Sequence, residues 1–266
     1  MTVVTAGKEH RAPIGLLAIP YLCGMSSSGR ARRVLVMIRG FFDDSSQGDV
    51  FLIAGWVTDY ETWEHFTADW RAALDSDPAI QYFKHHEAKG DPPTGQFEGW
   101  SVEQVDAKIS KLVDVICRHE MYGVCSGLNV RTHNAAFATS IASAKQIRSV
   151  LKLIHYYHSC VFSTHATVIQ IQVDRGELDK RVDLVFDEMS GMMAECITFY
   201  RDAKEKFPPE KKAISGTMTE ADDKEVEALQ AADLLAGQIA VTLRKPDVQT
   251  AVGQSLENYD LQRIDL

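Results

Sequence analysis

The segment Ala228-Leu229-Gln230-Ala231-Ala232-Asp233-Leu234-Leu235-Ala236-Gly237 constrains this chain more than any other. It has helical composition, and its small side chains let a helix lie close against a sheet. That closeness would take the one acid, Asp233, partly out of water. An isolated buried carboxylate is costly unless it is paired or bound to a metal. The competing reading is an exposed polar stripe shared by Gln230, Asp233 and Gln238.

Upstream, strand and helix patterns interleave without an internal repeat or an obvious linker. Apolar, β-branched runs predict strands over 34–42, 51–57, 80–84, 121–130, 182–186 and 213–218. Three- and four-residue apolar spacing predicts helices over 59–74, 101–119, 142–162, 189–207 and 225–243. Trp63, Phe66, Trp70 and Leu74 make one apolar face, and Ser101 with Gln104 spells a capping box. The β-branched run 167–173 fits either type of element. Alternation of this kind predicts a single α/β domain over 34–245. It leaves 1–33 as an unstructured leader or misassigned start and 246–266 as a tail. The apolar stretch 14–23 follows Lys8 and Arg11 like a signal peptide, but Pro20 interrupts it and no small-x-small site follows.

Two more acids close apolar strands, Asp43 after Phe41-Phe42 and Asp187 after Val185-Phe186. Asp43-Asp44-Ser45-Ser46 also reads as a hairpin turn, and Asp187 as the cap of the next helix. Two strand-end acids and a helix acid that converged would suit a hard divalent cation. Mg²⁺ and Mn²⁺ prefer oxygen ligands, and paired ions stabilise both the attacking and the leaving oxygen in phosphodiester cleavage.

The motifs Phe41-Phe42-Asp43-Asp44-Ser45, Ala54-Gly55-Trp56, Phe186-Asp187-Glu188 and Leu229-Gln230-Ala231-Ala232-Asp233-Leu234 occur in that order along residues 34–243. In this the chain resembles the bacterial domain-of-unknown-function family 3800, which has an Asp-Glu-Ser-Gly motif early and a Gln-x-x-Asp motif late. Asp44 stands where that family has Glu, and Ser46 where it has Gly. The resemblance implies an RNase H-like mixed sheet flanked by helices. It also implies a metal-dependent nuclease with Mg²⁺ or Mn²⁺ as cofactor and RNA or DNA as substrate. By motif, Asp43, Asp187 and Asp233 would be catalytic and metal-binding, Asp44 and Glu87 additional ligands, and Gln230 a partner orienting Asp233. The alternative is an RNase H-like module that binds nucleic acid or protein without turnover.

Composition narrows the rest. The chain has 37 Asp and Glu against 28 Lys and Arg, a net charge of −9. Residues 1–40 hold six basic residues and one acid, which leaves −14 for 41–266 and excludes phosphate binding by bulk positive charge. The five cysteines contain no Cys-x-x-Cys pair, so they read as buried reduced thiols of a cytoplasmic protein, and no zinc ribbon is indicated. No apolar run reaches the ~18 residues of a membrane span. His85-His86-Glu87 is not a His-Glu-x-x-His zinc motif, and His155 with His158 reads as a surface or partner-facing helix. Walker, dinucleotide-binding and nucleophile-elbow motifs are lacking.

Overall fold

Met37–Gln47 (β2) and Val50–Asp59 (β3) form an antiparallel hairpin closed by the two-residue turn Gly48-Asp49. Gly48 sits at φ 61°, a conformation glycine adopts at no steric cost and that suits a tight hairpin. The computed structural model to which these elements belong describes residues 2–7, 37–141, 155–188, 191–244 and 260–265. Tyr122–Asn129 (β4) pairs antiparallel with β3. Arg181–Asp187 (β5) pairs parallel with β2, and Ser215–Ala221 (β6) parallel with β5. Two outer strands, Thr2–Gly7 (β1) and Asp260–Asp265 (β7), extend the sheet beyond β4. The full order is β6-β5-β2-β3-β4-β1-β7. Of the expected leader and tail, residues 1, 8–33, 246–259 and 266 lie outside the described residues.

The sheet is mixed because a three-strand antiparallel meander is continued by two parallel strands, and parallel pairing needs crossover helices. Helices cover both faces of β2 to β6, so the fold is α/β and compatible with the RNase H-like arrangement. On one face lie Tyr60–Asp75 (α1), Val102–Arg118 (α3) and Glu227–Arg244 (α8). On the other lie Tyr156–Asp174 (α5) and Met192–Lys204 (α6). Strand alternation sorts the core: Phe41, Leu52, Ala54 and Trp56 face the first layer, and Phe42, Phe51, Ile53 and Val57 the second.

Asp59 caps α1 by accepting the Thr62 N–H, and the expected face Trp63, Phe66, Trp70 and Leu74 is buried. Trp63 meets Phe66 edge-on, and Phe66 stacks on Trp70. Burial of this kind contributes roughly 1.5–3 kcal/mol per large side chain. Ser101 and Gln104 complete the expected capping box of α3. From α3, Lys108 is drawn fully inside, where its ammonium donates to the carbonyls of Ala73, Leu74 and Ser76 and to Ser76 Oγ. It thereby satisfies the carbonyls that the end of α1 leaves open.

Several expectations change. Residues 80–84 form no strand; they run irregularly into the one-turn helix His85–Ala88 (α2). Their apolar members, Ile80 and Phe83, are instead buried under α1 and α3. The ambiguous run 167–173 is helical, and α5 is not a surface helix. Tyr157, His158, Cys160, Val161 and His165 of α5 are buried against the sheet. The part of that prediction over 142–154 lies outside the described residues. Pro208-Pro209 does not simply end a helix, because Pro209 opens the short helix Pro209–Ile214 (α7), a position that lacks no bond for want of an N–H. Cys117 is exposed, whereas Cys125, Cys160 and Cys196 are buried thiols as expected. Val130–Ile141 (α4) follows β4 directly.

Candidate metal centre

Parallel pairing of β2 and β5 sets Phe42 beside Phe186, so Asp43 and Asp187 emerge together one residue further on. They lie where the parallel pairing of β2 with β5 ends, Asp187 at the carboxyl end of β5 and Asp43 where β2 runs on into the hairpin. Asp43 does not belong to a turn. It pairs with Ala54, and Asp44 with Ile53, four residues before the hairpin closes. Nor does Asp187 cap a helix, since the N-cap of α6 is Gly191, with no side-chain cap. Asp187 Oδ1 instead accepts the backbone N–H of Asp223 at 3.1 Å.

Asp233 approaches from α8. Trp56 donates its indole N–H to the Ala231 carbonyl at 3.1 Å, which fastens the small-residue face of the helix to β3. Asp233 is only 9% exposed, and Gln230 and Gln238 are buried with it, so the polar-stripe reading fails. Asp43, Asp223 and Asp233 each offer a carboxylate oxygen within 4.8 Å of the others. All three are buried, at 7, 2 and 9% exposure. Asp187 adjoins this group through Asp223 and through Lys84, whose ammonium ion-pairs with Asp223 and lies 4.0 Å from Asp187 Oδ2.

The electrostatics follow from this crowding. Burial raises the Asp43 carboxyl well above the ordinary range, and the charges of Asp233, Asp187 and Asp44 raise it further. Asp233 is also raised by burial and by Asp223 and Asp187, against the opposing pull of the His85 N–H and Lys84. Asp187 and Asp223 are raised by burial, with Lys84 opposing in both. For Lys84, burial disfavours the charge, but the Asp223 hydrogen bond and the charges of Asp223, Asp187 and Asp233 outweigh it and raise its pKa. Asp44 leaves from the opposite face of β2. Burial and the Asp187 charge push it up to about 6, and its own N–H donates to Asp43 Oδ1 at 2.7 Å.

Two expected roles change. Gln230 is bonded elsewhere than to Asp233. Its Oε1 accepts the Trp70 indole N–H at 3.0 Å and the Phe83 N–H at 3.1 Å, and its Nε2 donates to the Asp223 carbonyl at 3.0 Å. It therefore positions the chain on both sides of the carboxylates. Glu87 turns away from them, accepting the Gln96 N–H at 2.9 Å and the Tyr82 hydroxyl at 3.3 Å, and so holds the loop 94–97.

The residue that binds Asp233 is His85, whose backbone N–H reaches Oδ2 at 2.6 Å. Its ring lies on α8 where Gly237, one turn past Asp233, leaves room. A Cβ at Gly237 would stand 2.3 Å from Cγ and Nδ1 of the ring. Burial, then the nearby charges of Lys89 and His86, hold the ring neutral, with its pKa lowered to about 4.

Asp223 and Lys84 were not singled out in the sequence. The signal for Asp223 was present, because Asp222-Asp223 follows β6 just as Asp43-Asp44 ends an apolar run in β2. Placing the end of β6 at Met218 hid it. Lys84 carried no comparable signal, since its segment has no regular structure.

The donor set fits a hard divalent cation. It is made only of carboxylates, buried and mutually repelling, with four acids set against one ammonium. No family model matches this chain, and no curated protein matches it either. No helix among the described residues is long and apolar enough to cross a membrane.

Proposed function

We propose that this protein is a divalent-metal-dependent phosphodiesterase, a nuclease acting on RNA or DNA, of the RNase H-like kind that the resemblance to family 3800 implies. The supporting observation is the convergence of buried Asp43 from β2, Asp223 from the segment after β6 and Asp233 from α8, with Asp187 beside them. Asp43, Asp223 and Asp233 would hold Mg²⁺ or Mn²⁺. Bound there, the cation supplies Lewis acidity toward a phosphoryl oxygen and makes water a nucleophile near neutral pH. The chain's own part is positional. Gln230 holds the Asp223 backbone and the His85 N–H holds the Asp233 carboxylate, and the raised pKa values set cation and proton in competition for the site. No Ser or Cys nucleophile is required. Reduced thiols at the described cysteines accord with a cytoplasmic location.

The non-catalytic module is favoured by one observation, that Lys84 already lies among the acids as a counter-ion. The two readings separate when purified protein is incubated with labelled RNA, DNA and hybrid in Mg²⁺, Mn²⁺ or EDTA. We expect cation-dependent cleavage that Asp43→Asn and Asp233→Asn abolish. Cleavage that survives both substitutions overturns the site. Absence of both cleavage and cation binding leaves the interaction module.

A further inference from the structure

We propose that Lys84 occupies the place of a second cation, so that this centre takes one divalent ion instead of two. The inference rests on the metal-binding reading above. Its ground is the way Asp223 is shared. That carboxylate belongs to the trio whose oxygens lie within 4.8 Å of one another, and its Oδ2 is also the atom that pairs with the Lys84 ammonium. Two-metal centres set their ions about 3.5–4 Å apart. Here a positive charge paired with Asp223 is covalently attached to the chain.

Asp187 completes that second position, and both of its oxygens are engaged from within the chain. Oδ1 takes the Asp223 N–H at 3.1 Å, and Oδ2 faces the ammonium at 4.0 Å. Lys84 is also held by its neighbours. The Phe83 N–H is bound by Gln230 Oε1 and the His85 N–H by Asp233 Oδ2, so the backbone is pinned on either side. The Lys84 side chain is 18% exposed, and the flanking bonds tie its segment to α8. Charge agrees with position. Four carboxylates less one ammonium leave three negative charges, which a single divalent cation brings to one. A second divalent ion would have to enter beside a fixed positive charge in a buried setting, where like charges repel most strongly.

The test counts ions bound to the full-length protein. Equilibrium dialysis against Mn²⁺, with the electron paramagnetic resonance spectrum of the bound fraction, gives both the number and whether two ions couple magnetically. We expect one ion without spin coupling in the wild type and in Lys84→Arg. In Lys84→Met we expect two, with spin coupling. Lys84→Gln serves the same purpose if Lys84→Met does not fold. A wild type that binds two coupled ions overturns the proposal and leaves the metal-binding reading intact, as does a neutral variant that still binds one. A wild type that binds none overturns both.

Discussion

The backbone N–H of His85 donates to Asp233 Oδ2 at 2.6 Å, joining an irregular segment to a helix 148 residues further along the chain. The contact depends on Gly237, because the His85 ring fills the space a Cβ would need.

Gly237→Ala sets two effects against each other. Alanine favours the helix by up to about 1 kcal/mol, whereas forcing a methyl group into a packed ring costs about 1–3 kcal/mol. The ring is buried and cannot swing clear, so overpacking wins. We expect a net loss of roughly 1–2 kcal/mol in urea denaturation, together with weaker Mn²⁺ binding. An unchanged midpoint would show that the segment 84–85 yields freely.

Gln230→Leu leaves the Trp70 indole N–H, the Phe83 N–H and the Asp223 carbonyl without their partner. A buried polar group stripped of its hydrogen bond costs about 1–3 kcal/mol, so the total loss should reach about 3 kcal/mol or more. Gln230→Glu keeps the acceptor for two of the three but buries a further carboxylate against the Asp223 carbonyl, and should lose more at neutral pH. Denaturation of the two variants side by side checks the order.

Lys108→Met tests a part of the fold remote from the carboxylates. The Ser76 carbonyl loses its donor, while Ala73 O keeps the Ser76 hydroxyl, Leu74 O the Ile80 N–H and Ser76 Oγ the Lys111 ammonium. We expect a loss of about 1–3 kcal/mol with Mn²⁺ binding to the folded protein unchanged. A parallel fall in Mn²⁺ affinity would tie the two regions together.

Asp44 should give stability a pH dependence of definite sign. Its pKa is raised by burial and the Asp187 charge to about 6 in the folded chain, against about 3.9 when unfolded. The folded state therefore binds the proton more tightly. Its contribution is complete below pH ~4 and is lost as pH rises through ~6. Asp44→Asn has no such proton to lose. The variant should gain on the wild type by roughly 1–3 kcal/mol between pH 4.5 and 7.5 in EDTA. The buried histidines change protonation in the same range with the opposite sign, but they are common to both proteins and cancel. A constant difference across the range would refute the raised value.

Much of this architecture was legible because local chemistry and tertiary structure agree. The α1 face of Trp63, Phe66, Trp70 and Leu74, the Ser101–Gln104 box and the strands around Phe42, Ile53 and Phe186 all form where their residue patterns place them. Asp43, Asp187 and Asp233 stood out for the same reason, as charges in apolar company. Residues 80–84 misled because buried apolar residues in an irregular segment have the composition of a strand. Gln230 was noticed for its spacing to Asp233, yet its partners are Trp70, Phe83 and Asp223, contacts that only the docking of α8 creates. Lys84 is set by the same docking, and no local pattern encodes it.

That dependence has a consequence for the order in which the centre comes into being. Residues 227–244 are translated after every other contributor: Asp43, Lys84, His85, Asp187 and Asp223. A nascent chain folding as it emerges would thus carry acids at its sheet edge before Asp233 and Gln230 exist to organise them. Until α8 docks, Trp56 and Trp70 lack their carbonyl and amide acceptors, and the apolar face it covers is open to water. On the proposed metal-binding reading, cation capture and completion of the core are then one event, and a chain truncated before Glu227 should have neither.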